Sequence, residues 1–324
     1  MMKRLLLIGL LILAPAAFGA SSVLTSKGLW YSIEKPNEGT SVLLMRRSGG
    51  TKVMIDVPAT LDGGRNYRAQ LDYDRASDRL FVTWVREGQN SSDVMMSWLD
   101  ATGEWSDELV LASAPGLVGR DGLRTALTRV GSGTNRTTLI HVASWVRDGE
   151  ALRGEYLLVA FESGSHLSTS AANFQTLDTS ASGSNYGDDI EVFAPFPALA
   201  MAALGDGVDV VYGNEHGTSV TRLHISPRLE PNARMWKPVG RSSGTMPPAR
   251  FAATSVSPVR AFFSRDRVVL YTNDRVFRFT IFESGSWSEA QEFTLDDGLT
   301  GDALLNQIRR MIEEESPDLV TMSK

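Results

Sequence analysis

The chain is expected to fold as an all-β protein, and three observations predict it. Short runs rich in Val, Leu, Phe, Thr, Trp and Tyr recur along it, each closed by Gly, Asp, Asn or Ser, which is the composition of strands and tight turns. The plainest runs are Leu80–Val85, Leu139–Val146, Val208–Tyr212 and Val268–Tyr271. Each is followed by a turn and a second run of similar length. The third observation is a period. The aromatics near the ends of those runs, Trp84, Trp145, Tyr212 and Tyr271, are separated by 61, 67 and 59 residues, and Tyr31 stands one unit earlier.

Each unit reads as four strands joined by turns. In the second unit the turns fall at Asp74 to Asp78, Glu87 to Ser92 and Ala101 to Gly103. In the fifth they fall at Ser264 to Asp266, Asn273-Asp274 and Glu283 to Gly285. A fourth strand begins near Trp105, Trp236 and Trp287. A small four-stranded sheet cannot cover both its faces alone, and repeating it around an axis lets each sheet cover its neighbour. The expected architecture is therefore a β-propeller of five blades, at 21–60, 64–115, 121–180, 194–243 and 249–296. Six blades follow if 116–124 or 179–195 contains further strands. A two-sheet sandwich has similar turn spacing and is the competing architecture.

The ends read differently. Met1-Met2-Lys3-Arg4 is a positive start, Leu5 to Leu13 is an apolar run too short to span a bilayer, and Ala14 to Ala20 is rich in small residues. Residues 1–20 are expected to be a signal peptide cleaved after Gly19 or Ala20, which places the protein in the periplasm or outside the cell. The propeller then occupies 21–298. Ala303, Leu304, Leu305, Ile308, Met311 and Ile312 share one face at helical spacing, so 299–315 is expected to be a short amphipathic helix packed on the propeller, followed by a flexible tail at 316–324.

Composition narrows the function. The apolar content of 42% supports a real core, and the net charge of −6 argues against a nucleic-acid partner. The chain has no cysteine, which excludes disulfides, thiolate metal sites and lipoprotein attachment. The four histidines lack metal-ligand spacing, and His141 lies inside a strand, as a satisfied core histidine would. Asp206-Gly207 and Asp209 suit a tight turn better than calcium. No phosphate-binding Gly-Lys-Ser/Thr loop and no Gly-x-Ser-x-Gly elbow is present. No cofactor and no metal are expected.

Two segments resemble the repeats of sialidase-type propellers, known as BNR or Asp-box repeats. In the first, Ser97, Asp100, Gly103 and Trp105 supply the residue types of the Asp-box turn between third and fourth strands, with longer gaps than the family pattern. The second, Phe282 to Ser288, keeps the Gly285-x-Trp287-Ser288 end, and Tyr186-Gly187-Asp188-Asp189 resembles a stretch that precedes a strand in some such repeats. In that family the boxes are structural, so the resemblance implies fold more than activity.

Ligands of propellers bind where inner strands and loops converge. Arg68, Arg124 and Arg250 are read as opening the inner strands of blades two, three and five, which would ring one mouth of the axis with guanidinium groups. Tyr186, Asp188, Asp189 and Glu191, in the Ser/Gly-rich insert 179–192, complete the candidate ligand site. The expectation is a binding or scaffold module for an anionic carbohydrate or peptide. The resemblance to sialidases implies the alternative, a glycoside hydrolase with Asp188 or Asp189 as acid/base and Tyr186 or Tyr67 with Glu191 as nucleophile pair. A third alternative is an interaction subunit of an envelope complex.

Overall fold

A computed structural model describes residues 22–34, 42–58, 65–88, 91–114, 123–131, 136–148, 151–162, 165–173, 198–213, 220–230, 232, 235–246, 260–264, 267–273 and 276–294. Every regular element among them is a strand, and the strands form five antiparallel sheets. The segments expected to be a signal peptide (1–20), the insert 179–192, and those expected to form a C-terminal helix and tail (299–324) lie outside the described residues.

The first sheet contains β1 (Ser22–Leu24), β2 (Trp30–Glu34), β3 (Leu43–Ser48) and β4 (Thr51–Asp56). The second contains β5 (Arg65–Asp74), β6 (Arg79–Glu87), β7 (Ser92–Leu99) and β8 (Leu109–Ala114). The third has β9 (Arg124–Val130), β10 (Thr137–Asp148), β11 (Ala151–Glu162) and β12 (Ser165–Asn173). The fourth has β13 (Ala198–Leu204), β14 (Gly207–Gly213), β15 (Val220–Glu230) and β16 (Met235–Met246). The fifth has β17 (Arg260–Ser264), β18 (Arg267–Asn273), β19 (Val276–Glu283), β20 (Ser286–Trp287) and β21 (Gln291–Thr294), the last two both pairing with β19. Each sheet is a meander with consecutive strands side by side.

The core is divided into four layers, one between each pair of consecutive sheets. Tyr31 and Leu44 of the first sheet meet Leu71, Leu80, Val82, Trp84 and Met95 of the second. Phe81, Val85, Val94 and Met96 meet Leu127, Ile140, Val142 and Phe161 of the third. Leu139, Tyr156 and Leu158 meet Met201, Val208, Val210 and Tyr212 of the fourth. Leu199 and Val211 meet Phe263, Val268 and Leu270 of the fifth. Alternation along each strand sends successive side chains to opposite layers, so the buried runs of β6, β10 and β14 are continuous rather than alternating. The first strands abut in chain order, β1 on β5, β5 on β9, β9 on β13 and β13 on β17.

The fourth strands repeat a local device. In the second sheet Trp105 makes one bridge to Leu99 before β8 resumes at Leu109; in the fifth, Trp287 pairs with Phe282 before β21 resumes at Gln291. Both tryptophans follow a glycine in the left-handed region, Gly103 at φ +91° and Gly285 at φ +86°. Both precede a serine with the same bonds. Ser97 Oγ donates to Ser106 O at 3.1 Å and Thr280 Oγ1 to Ser288 O at 2.9 Å; Ser106 Oγ and Ser288 Oγ accept from Trp98 N and Ile281 N at 3.0 and 3.1 Å. Trp105, Trp236 and Trp287 all pack toward the preceding sheet. Trp105 and Trp287 therefore occupy matching positions, as the repeat requires.

The aromatic register of the second strands holds in part. Counted from the first hairpin of each sheet, Trp84 and Tyr212 match and face the preceding sheet. Tyr271 is one residue short and lies on the opposite face from Val268 and Leu270. A one-residue difference reverses the face because the strand period is two.

Gly207 begins β14 where the hairpin passes against β15. A Cβ there would stand 2.1 Å from Ile225 O, a backbone atom that cannot swing aside. Gly207→Ala is expected to lower unfolding free energy by about 2 kcal/mol or more; urea unfolding checks it, and an unchanged midpoint would disprove the close approach.

Candidate functional site

The site is built from the beginnings of the first strands. Counting back six residues from the end of β5 and of β9 reaches Arg68 and Arg124; Arg124 opens β9 as expected, whereas β5 opens earlier, at Arg65, because its pairing with β6 continues past the Arg68 bulge to Glu87. The same count from Leu204 reaches Ala198, and from Ser264 it reaches position 258. Arg250 lies eight residues further upstream, outside the described residues; the described strand that pairs with β18 is β17, Arg260–Ser264. Tyr186, Asp188, Asp189 and Glu191 also lie outside the described residues.

Arg68 and Arg124 differ in setting. Arg68 sits in a bulge, where Arg68 and Ala69 together oppose Trp84 between the pairs Tyr67–Val85 and Gln70–Thr83. Its φ of +60° is left-handed, a conformation that costs a residue with a Cβ about 1 kcal/mol or more. Its residue is exposed. Beneath the bulge Trp84 is fully buried, with Nε1 donating to Asn66 Oδ1 at 2.9 Å. Arg124 is half-buried and reaches into the next sheet. Its Nε donates to Leu199 O of β13 at 3.1 Å and its Nη1 to Leu123 O at 2.8 Å. Arg124 thus clamps the third sheet to the fourth.

Two carboxylates that sequence reading passed over lie between the second and third sheets. Leu71-Asp72-Tyr73-Asp74 places both on one face of β5, the face turned to β9. Asp72 is buried and accepts a short hydrogen bond from Thr125 Oγ1. Burial pushes its pKa up to about 6, partly offset by the Thr125 bond. Asp74 accepts from Thr138 Oγ1, from Ser77 Oγ at 2.8 Å and from Ala76 N at 3.0 Å, and it pairs with Arg129. Burial opposes ionisation here too, but those bonds and the Arg129 charge outweigh it and hold the carboxyl below its ordinary range. The signal was present in the spacing: aspartates at i and i+2, alternating with Leu71 and Tyr73, put both carboxylates on one face of a strand whose other face is apolar.

The other seams carry polar knots as well. His141 is fully buried between the third and fourth sheets, bonded to Thr128 Oγ1 at 2.6 Å and to Tyr156 Oη. Burial lowers its pKa to about 3 and raises that of Tyr156 well above 10, so both are neutral and His141 is the satisfied core histidine expected of it. Toward the fifth sheet, buried Asp209 holds Arg222 Nε at 2.6 Å and His224 Nδ1 at 2.6 Å, and the Arg222 guanidinium lies 5.6 Å from the Phe263 ring centre. Asp206 is a turn residue, as expected, and also meets His224 Nε2 at 3.1 Å. Among the described residues no group of three or more His, Cys, Asp or Glu side chains is placed to hold a metal.

Chemically, the carboxylates of Asp72 and Asp74 face the seam and bind hydroxyls or a guanidinium. What faces outward there is Arg68. No protein-family model matches this sequence, and no curated protein is similar to it.

Two pH dependences follow, of opposite sign. The native state keeps a proton on Asp72 between its ordinary 3.8 and about 6, where the unfolded chain has lost it. Stability is therefore withdrawn as pH rises through that window, by up to about 3 kcal/mol above it. Urea titrations of wild type and Asp72→Asn should diverge from pH 4 to 6.5, wild type falling relative to the variant; a pH-independent difference would refute the burial cost. His141 stays neutral in the native state while the unfolded chain protonates below 6.5. Its contribution is whole above 6.5 and lost as pH falls toward 3, so His141→Gln should unfold less steeply than wild type on acidification. Parallel acid transitions would contradict that.

Proposed function

We propose that the chain is an exported β-propeller of five blades that serves as a binding or scaffold module, taking an anionic carbohydrate or peptide at the end where its first strands begin. Three features support the radial reading. The first strands abut in chain order, and each core layer lies between consecutive sheets. The outward face of the fifth sheet is also covered: Val269, Tyr271, Phe279 and Ile281, turned away from the fourth sheet, are buried, and on the outward face of the first Ser32 is buried while Trp30 and Met54 are exposed. The matching turns before Trp105 and Trp287 favour kinship with Asp-box repeats. In the first of them Asp100 Oδ1 accepts from Thr102 N at 2.9 Å and Glu104 N at 3.0 Å, the bonding such a turn needs.

The ligand reading is carried by Arg68. A cationic residue is kept exposed on a strained backbone in the first half of an inner strand, where glycine would cost less. Strain retained in this way is a mark of functional positions. Asp72, on the same strand as Arg68, is buried and bonded across the seam to Thr125, which favours binding over hydrolysis there.

The test uses the full chain with two probes, oligogalacturonate and a poly-glutamate peptide. At least one should bind, with affinity falling as salt rises. Arg68→Ala should weaken it about tenfold or more. Arg68→Gly should lose the same affinity yet gain about 1 kcal/mol of stability through relief of the left-handed strain. Equal binding by wild type and both variants, or no binding to either probe, would overturn the assignment.

A further inference from the structure

Three buried oxygen atoms without a hydrogen-bond partner belong to one seam. They are Asp72 Oδ1 on β5, Thr83 Oγ1 on β6 and Ser144 Oγ on β10. Strand alternation decides where each points. Phe81 and Val85 pack against the third sheet, so Thr83 between them faces it too. Ile140 and Val142 pack against the second sheet, so Ser144 faces the second sheet. Asp72 faces across as well, since its other oxygen bonds Thr125.

Register brings the three to one level. Asp72 pairs with Phe81 and Thr83 with Gln70, which places Thr83 diagonally from Asp72 toward the start of β5. Thr125 pairs with Val142, so Ser144 is displaced from Thr125 toward the start of β9. The two first strands run the same way, because Asp72 meets Thr125 while Asp74 meets Arg129 further along both. Thr83 and Ser144 are therefore shifted to the same side of the Asp72–Thr125 bond, one from each wall.

We propose that this seam encloses an ordered internal water, accepting from the Thr83 and Ser144 hydroxyls or donating to them, and donating to Asp72 Oδ1. Leaving three buried polar atoms unpaired would cost about 1–3 kcal/mol each, far more than immobilising one water. Internal waters make about three such bonds, and here three are offered by three different strands. The water joins the second and third sheets at the level of their polar contacts, and it hydrates a carboxylate that has no cation on it. This inference is independent of the ligand reading and of the number of blades.

A crystal structure of the full chain at high resolution tests it directly, together with a double-mutant cycle. One density peak should lie about 2.7–3.0 Å from Asp72 Oδ1, Thr83 Oγ1 and Ser144 Oγ. Thr83→Val and Ser144→Ala should each lower the folding constant. Their combination should lower it by less than the product of the single losses, because both remove the same bridge. Thr83→Ser, which keeps the hydroxyl, should retain the peak and the coupling. A dry seam, direct bonds among the three side chains, a cation in place of water, or strictly multiplicative losses would each overturn the proposal.

Discussion

A four-stranded antiparallel sheet has two faces and, in this chain, apolar side chains on both. Alternation within β6 sends Phe81, Thr83 and Val85 one way and Leu80, Val82 and Trp84 the other, and most of them are fully buried. Neither face can be satisfied within the sheet. The neighbouring sheets supply the cover, so each of the second, third and fourth sheets depends on the sheets before and after it. The four core layers are the consequence, and burial of apolar surface between sheets is the force that orders the array.

Apolar burial alone leaves the sheets free to slide, since dispersion contacts have little direction. The polar groups set within the seams supply that direction. Thr125 on Asp72, Thr138 and Arg129 on Asp74, Arg124 on Leu199 O, Ser170 on Trp236 O and Arg222 over Phe263 each join one sheet to the next. Burying Asp72 is costly, as its raised pKa reports, yet a carboxylate that must meet a hydroxyl from the facing strand allows one alignment. The same logic changes the reading of Arg124. Its side chain bonds a carbonyl across a seam, Leu199 O, whereas Arg68 sits in the β5 bulge and is exposed.

Much of this was legible in the amino-acid order. Turn residues between apolar runs located the hairpins at Asp74–Asp78, Glu87–Ser92 and Ser264–Asp266, and Gly before Trp marked the matching turns of the second and fifth sheets. Tyr271 was set one residue out because an aromatic can sit on either face of a strand buried on both sides, and composition does not distinguish the faces.

What the chain determined by itself was its local periodicity: a strand every several residues, turns where Gly, Asp and Asn demand them, and a unit of about sixty residues repeated along its length. The pairing of side chains across sheets was decided only in three dimensions. Asp72 and Thr125 are more than fifty positions apart, and no local rule relates them. Their meeting depends on register, where a shift of one position turns a side chain to the other face.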